Sequence, residues 1–384
     1  MKTQLVIGLG FGDEGKGLTT DFLCRQADSP LVVRFSGGHQ AGHTVVTREG
    51  TRHVFSNFGA GTLAGAPTYY SRYCTFNPVG FQREREALLK LGTTPVLYTD
   101  GLAPVTTPYD VLYNRKLETK ERHGSCGLGF GATVARHEGP AKLHVLDLYD
   151  DFILEQKLQA VATYYGNRLG VTYDTDALRE QLMVFHDAVN YFRSHHPQKY
   201  VAHSLASLAK GYDTIVFEGS QGLLLDQDFG YFPHVTRAHV SSRNAMELIA
   251  TAGLPLPEIF YVTRAYQTRH GNGPLTNEHL EPNLHPTPNE TNVTNPWQGP
   301  QRRSLLDLDQ LRFALAMDNH YAHACHKNLV VTCLDQLKGE WFATDDGRRI
   351  RLGSSADLGG RLGFTEDRVY TNASEVGDLL VCSL

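Results

Sequence analysis

The sequence predicts an α/β fold: a large mixed, mainly parallel central sheet with helices on both faces and a P-loop-like phosphate loop after the first strand. Three observations carry this. Short, apolar, β-branched runs recur along the chain, as buried parallel strands do. Stretches of helical periodicity alternate with them. A glycine-rich turn, Gly10 to Gly17, reads GFGDEGKG directly after the first run.

Taken in order, the strands are expected at Gln4–Gly8, Leu31–Phe35, Pro95–Thr99, Thr214–Glu218, Glu258–Ala265 and Asn328–Thr332. Helices are expected at Lys16–Arg25, Gln82–Leu91, Asp176–His195, His203–Lys210, Val240–Ala252 and Asp307–Asp318. Ligands in such folds gather at the carboxyl ends of the strands. Polar or glycine-rich loops are expected there, at Leu9–Gly15, Ser36–Thr44, Gly219–Gly222 and Tyr266–Gly273. The stretch Glu278–Arg303 is rich in Pro and Asn and reads as a long loop, which in a folded domain is usually functional or disordered. No repeat or linker divides residues 1–384, so a single domain is expected.

Composition narrows the class. Hydrophobic content of 41% and charged content of 20% suit a globular protein. A net charge of −5 gives a nucleic-acid partner no global electrostatic support. No apolar run approaches a membrane span. Met1 to Gln4 leads into a strand without signal-peptide features. The six cysteines form no C-x-x-C pair, which fits a reducing, cytoplasmic compartment. The eighteen histidines show no zinc-ligand spacing.

The turn nearly matches G-x-x-x-x-G-K-[ST] through Gly10, Gly15 and Lys16, but Gly17 stands where a magnesium-binding hydroxyl is usual. It carries two carboxylates, Asp13 and Glu14. A carboxylate in an anion cradle is costly unless it meets a metal or takes a proton. The loop therefore reads as built for chemistry at a phosphate; a ligand-free glycine turn is the alternative. Ser36 to Thr44 adds backbone that can approach a ligand closely, and His43, which can protonate or stabilise a phosphoryl oxygen or stand as a plain polar loop residue.

Four segments together, GDEGKG, VVRFSGGHQAGHT, FEGSQGLLLDQDFGYFPHVT and RAYQTRHGNGP, closely resemble adenylosuccinate synthetase, in the same order. The resemblance runs from Leu5 to about Arg368. It implies a ligase that uses GTP and Mg²⁺ to join L-aspartate to IMP, acting as a homodimer with shared sites. It implies that Asp13 is the base and a magnesium ligand, and that His43 is the acid. Gln221 orients the purine. Gly12, Glu14, Gly15, Lys16, Gly17 and Thr44 hold the nucleotide, and the carbonyl of Gly42 is a second magnesium ligand. Gln40, Ser125, Cys126, Thr236 and, from the partner subunit, Arg136 hold the monophosphate. The turn Cys333-Leu334-Asp335 reads guanine through Asp335. Thr294, Arg302 and Arg303 bind the amino-acid carboxylates.

This chain departs from the family pattern at several of these positions. Gln40 replaces Asn, Cys126 replaces Thr, Cys333 replaces Lys, and only two arginines remain before Ser304. These changes bear on the acceptor, so another purine monophosphate, such as a guanine or deoxy nucleotide, or another amino acid is the alternative reading. A GTP-binding regulatory protein is the alternative outside enzymes.

Overall fold

The computed structural model describes residues 1–121, 124–169, 175–202, 204–286, 297–374 and 376–382. The chain opens with strand β1 (Lys2–Gly8), the glycine loop and helix α1 (Lys16–Arg25), followed by β2 (Pro30–Arg34). A small hairpin, β3 (His43–Val46) and β4 (Arg52–Phe55), precedes β5 (Thr68–Tyr70), α2 (Pro78–Lys90) and β6 (Leu97–Asp100). Four helices form the next section: α3 (Pro108–Glu121), α4 (Phe130–His137), α5 (Asp151–Leu169) and α6 (Asp176–His195). Then come β7 (Val201–Ala202), α7 (Leu205–Ala209), β8 (Thr214–Gly222), α8 (Arg243–Ala252) and β9 (Glu258–Arg264). A ribbon of β10 (Gln267–Arg269) and β11 (Arg302–Ser304) leads to β12 (Leu306–Asp307), α9 (Leu308–Ala322) and β13 (His326–Thr332). The chain ends with the hairpin β14 (Trp341–Asp345) and β15 (Arg348–Leu352), α10 (Ser355–Arg361), β16 (Val369–Thr371) and β17 (Leu380–Val381).

Ten strands form one sheet in the order β17-β16-β13-β9-β1-β8-β2-β5-β6-β7. All neighbours are parallel except β16 and β17. Alternate residues of the central strands enter different cores, because successive side chains of a strand face opposite ways. Leu5, Ile7, Leu31, Val33, Ile215, Phe217, Ile259 and Tyr261 pack with α7, α8 and α9. Val6, Val32, Val216, Phe260, Val262 and Val330 pack with Leu23 and Cys24 of α1. Both faces are dry, which explains the unbroken apolar runs. No helix among the described residues is long and apolar enough to cross a membrane.

The expected bounds of α1 and α6 hold to the residue. The helix expected from Gln82 begins a turn earlier, where Asn77 caps it by accepting from the Gly80 N–H and Pro78 takes the first position. The helix expected from Val240 begins at Arg243, and that expected to end at Asp318 runs on to Ala322. The loop expected at Gly219–Gly222 is the end of β8, whose backbone pairs with β1 again at Gly222 after an irregularity that follows Glu218. Part of the loop Tyr266–Gly273 is β10. The long loop Glu278–Arg303 ends in β11, which is held by its pairing to β10; its residues 287–296, Thr294 among them, lie outside the described residues.

Candidate active site

The site residues line up along the carboxyl edge of the sheet. β1 lies between β8 and β9: from β1 the chain passes to β2 on one side, and from β8 it crosses to β9 on the other, a switch point of the kind where α/β sheets bind ligands. On one side stands β13, two strands away, with the turn Leu334–Gln336 after it. The phosphate loop reaches across to the end of that strand, where a Cβ at Gly15 would fall 2.9 Å from Thr332 Cγ2. The two are also tied directly. Thr332 Oγ1 donates to the Glu14 carbonyl at 2.6 Å. Asp335 is exposed there, and Cys333 adopts a left-handed φ of 58°.

The phosphate loop holds an anion of its own. The Glu14 carboxylate turns back over the loop and accepts from the N–H groups of Gly10 at 3.0 Å and Gly12 at 2.7 Å. Lys16 Nζ lies 2.7 Å from its other oxygen, with both side chains buried. The carboxylate thus has two backbone N–H groups and an ammonium as its partners. Close approach makes this possible: a Cβ at Gly8 or Gly222 would fall 2.2 Å or 2.4 Å from Glu14 oxygens. The donors expected to meet phosphate are those that Glu14 now occupies.

Asp13 stands beside this cradle with a left-handed φ of 63°. Burial raises its pKa, but the hydrogen bond and charge of His270 and the charges of Arg264 and Lys16 outweigh it and pull it down to about 2. Asp13 is held as a carboxylate. His270 Nε2 lies 3.3 Å from its Oδ2, and Gln301 Nε2 donates to the same oxygen at 3.1 Å. Arg264 Nε donates to its backbone carbonyl.

On the other side of β1 lies His43, the first residue of β3. It packs so tightly on α1 that a Cβ at Gly17 would fall 2.7 Å from the His43 Cβ. This explains Gly17 where a hydroxyl residue is usual. His43 Nδ1 is 2.6 Å from Oε1 of Glu218, in β8, and Nε2 is 3.4 Å from the Ser220 carbonyl. Burial is the largest influence on His43 and lowers its pKa against the pull of Glu218. Glu218 is fully buried; burial raises its pKa, and the charges of His43 and Arg34 more than reverse that. The pair is an imidazole oriented by a carboxylate, the arrangement of an acid–base group. Glu218 was missed in the sequence, although a lone charge inside the apolar run TIVFEG is a signal. Gly42, next to His43, is exposed, and Thr44 follows it in β3.

Several polar groups nearby lack partners among the described residues: both amide atoms of Gln40, Gln221 Oε1 and Thr75 Oγ1 are buried without a hydrogen bond. Such groups are costly to leave unmade and mark a place where a polar ligand fits. Thr236 lies on the loop after β8, its N–H bonded to the Leu225 carbonyl, and that loop is joined to the phosphate loop by Leu224 N to Gly10 O at 3.0 Å.

Two residues expected to meet ligands make their contacts within the chain. Arg136 is the first. It is fully buried, with Nε 2.8 Å from Asp110 Oδ1 and its remaining nitrogens on Asp110, Ala141 and Val105. Arg302 is likewise committed within the chain: it pairs with Glu278 at 3.0 Å and caps the carbonyls of Gly271 and Gly273. Arg303 lies opposite Thr268 in the ribbon, half-buried. Ser125 has its N–H on Glu118 at 3.1 Å and its hydroxyl bonded to Asn114 at 3.0 Å. Cys126 beside it is a thiol that burial pushes up to about 11. Arg115, not anticipated from the sequence, donates to the Gly127 carbonyl of that loop at 3.1 Å.

A phosphate cradle at the switch point, an ionised aspartate at its lip and a carboxylate-oriented histidine across from it define an α/β enzyme of the phosphate-loop kind. The family model of adenylosuccinate synthetase matches residues 5–342. The adenylosuccinate synthetase of Thermoplasma volcanium is 29% identical over 359 residues, which cover 91% of this chain and 80% of that one. Two solved structures share the fold. The fully ligated adenylosuccinate synthetase of Plasmodium falciparum aligns with a TM-score of 0.78 at 16% identity, over 99% of each chain. The succinoaminodeoxyadenylate synthetase of cyanophage S-2L, bound to dGMP and to dATP as an energy donor, aligns with a TM-score of 0.62 at 17% identity, over 100% of this chain and 96% of that one. The chain belongs to the adenylosuccinate synthetase family and is a ligase of that type.

Proposed function

We propose that the protein joins L-aspartate to IMP at the expense of GTP, releasing adenylosuccinate, GDP and phosphate. The observation that carries this is the placing of Asp13 and the His43–Glu218 pair on either side of one phosphate loop. A 6-oxopurine is a poor electrophile because its oxygen leaves badly. Asp13 takes the N1 proton, and O6 attacks the γ-phosphorus as the bond to GDP breaks. His43 faces the transferring group and stabilises its developing charge. The aspartate amine then attacks C6, and O6 departs within phosphate.

The loop fits a nucleotide polyphosphate, since the Glu14 carboxylate already stands where an anion is received by Gly10, Gly12 and Lys16. Mg²⁺, when bound, would be held by Asp13 and the Gly42 carbonyl and would offset phosphate charge. A homodimer is the proposed assembly.

A second reading has specific support. The cyanophage neighbour is described with dGMP and dATP, and the unpartnered Gln40 and the thiol of Cys126 alter this chain's monophosphate pocket. The test is a panel of IMP, GMP, dGMP and dIMP with L-aspartate and other amino acids, each with GTP or ATP, products read by mass spectrometry. Adenylosuccinate formed from IMP and GTP supports the first reading. A product only from dGMP or GMP supports the second, and phosphate release without any ligated product excludes both.

A further inference from the structure

The ribbon of β10 and β11 pairs Arg269 with Arg302 at its open end. One step further along the same register stand His270 and Gln301. Both side chains turn to one atom, the Oδ2 of Asp13, at 3.3 Å and 3.1 Å. They come from two segments of the chain brought side by side only by the ribbon. Arg302 braces the turn that follows His270 through the Gly271 and Gly273 carbonyls, and Gly271 N donates to the Gln298 carbonyl at 3.2 Å. Asp13 needs such support: its φ of 63° lies in a region that a side-chain-bearing residue adopts only when its surroundings hold it.

We infer that His270 and Gln301 are positioning residues, a two-donor clamp that fixes Oδ2 of Asp13 and turns the carboxylate's other oxygen to the purine. The inference rests on the reading of Asp13 as the base. Two donors on one oxygen fix the plane of the carboxylate as well as its position, which a single donor does not. The same ribbon carries Arg303, opposite Thr268, so the strand pair that grips the base also leads into the segment proposed to hold the amino acid.

The full-length protein is assayed with GTP, Mg²⁺, IMP and L-aspartate. His270→Leu and Gln301→Leu should each lower kcat about tenfold, the scale of one lost oriented hydrogen bond, at an unchanged KM for GTP. His270→Gln keeps a neutral donor and should return kcat to within about threefold of the parent, a rescue that a merely structural role would not favour. A double Leu variant within about twofold of the parent kcat overturns the clamp, as does His270→Gln no better than His270→Leu. A second measurement needs no turnover. In a cycle of thermal midpoints, Asp13→Ala and His270→Leu should combine to less than the sum of their separate shifts; additive shifts overturn the contact. If the unaltered protein ligates no purine in the wider panel, the functional reading fails, and the thermal cycle still decides the clamp.

Discussion

His43 and Glu218 lie 2.6 Å apart, Nδ1 to Oε1, and Glu218 is shielded completely from solvent. A buried carboxylate fixes the imidazole's orientation and which nitrogen carries the proton. Glu218→Gln keeps the shape and removes the charge. We expect kcat to fall about 10- to 100-fold with little change in KM for GTP or IMP, the loss expected when an acid–base group is disoriented. Steady-state phosphate release reads this, and an unchanged kcat would remove Glu218 from the site.

On the proposed reading, phosphates enter the cradle that Glu14 fills, so a nucleotide would have to displace it from Gly10, Gly12 and Lys16. Glu14→Gln weakens the competitor and frees Lys16. GDP should bind at least about fivefold more tightly, by about 1 kcal/mol. Calorimetric titration with GDP and Mg²⁺ checks it; equal or weaker binding contradicts the displacement.

The neighbouring arginines of β11 should separate. Arg302 holds Glu278 and two carbonyls, whereas Arg303 lies on the strand proposed to approach the amino acid. Arg302→Leu should lower the thermal midpoint by several degrees. Arg303→Leu should raise the KM for aspartate about tenfold or more, as the loss of a charged contact does. The reverse pattern would reassign the two side chains.

Stability should fall as the solution is acidified from pH 7.5 to 5. Burial pushes His39 and His196 down to about 4 and, with the charge of Arg136 adding to it, His137 to about 3. Folded, they stay neutral through this range; unfolded, they bind protons below about 6.5. The unfolded state therefore binds more protons, and the stability present above 6.5 is lost as the pH drops toward the folded values. A thermal midpoint lower by at least about 5 °C at pH 5 is expected. A midpoint that holds or rises on acidification would contradict this.

The strand–loop–helix unit was legible because its signals are local: an apolar run, glycines and a lysine within one short segment. α6 was legible through its Thr175 cap and apolar stripe. α5 has a stripe too, Leu154, Leu158, Val161 and Tyr165, but exposed Phe152 and Ile153 blur its start. β5 is three residues long and escapes any periodicity. Within the candidate site, the sequence singles out residues of marked chemistry, Asp13, Lys16 and His43, one at a time. Its pairings were not legible: Glu218 meets His43 because β2, the sheet neighbour of β8, leads through its loop into β3, which His43 opens, and His270 and Gln301 meet Asp13 through a ribbon register. Arg136 has the right local sequence for a phosphate contact, yet Asp110 captures it inside the chain.

The central claim is that this site makes the purine oxygen a leaving group by phosphorylating it. IMP carrying ¹⁸O at position 6 tests that claim most directly, with GTP, Mg²⁺ and L-aspartate, the released phosphate being analysed by mass spectrometry. The account predicts that each phosphate released with adenylosuccinate carries the label from the purine. Ligated product accompanied by unlabelled phosphate, with the ¹⁸O in water, would contradict it.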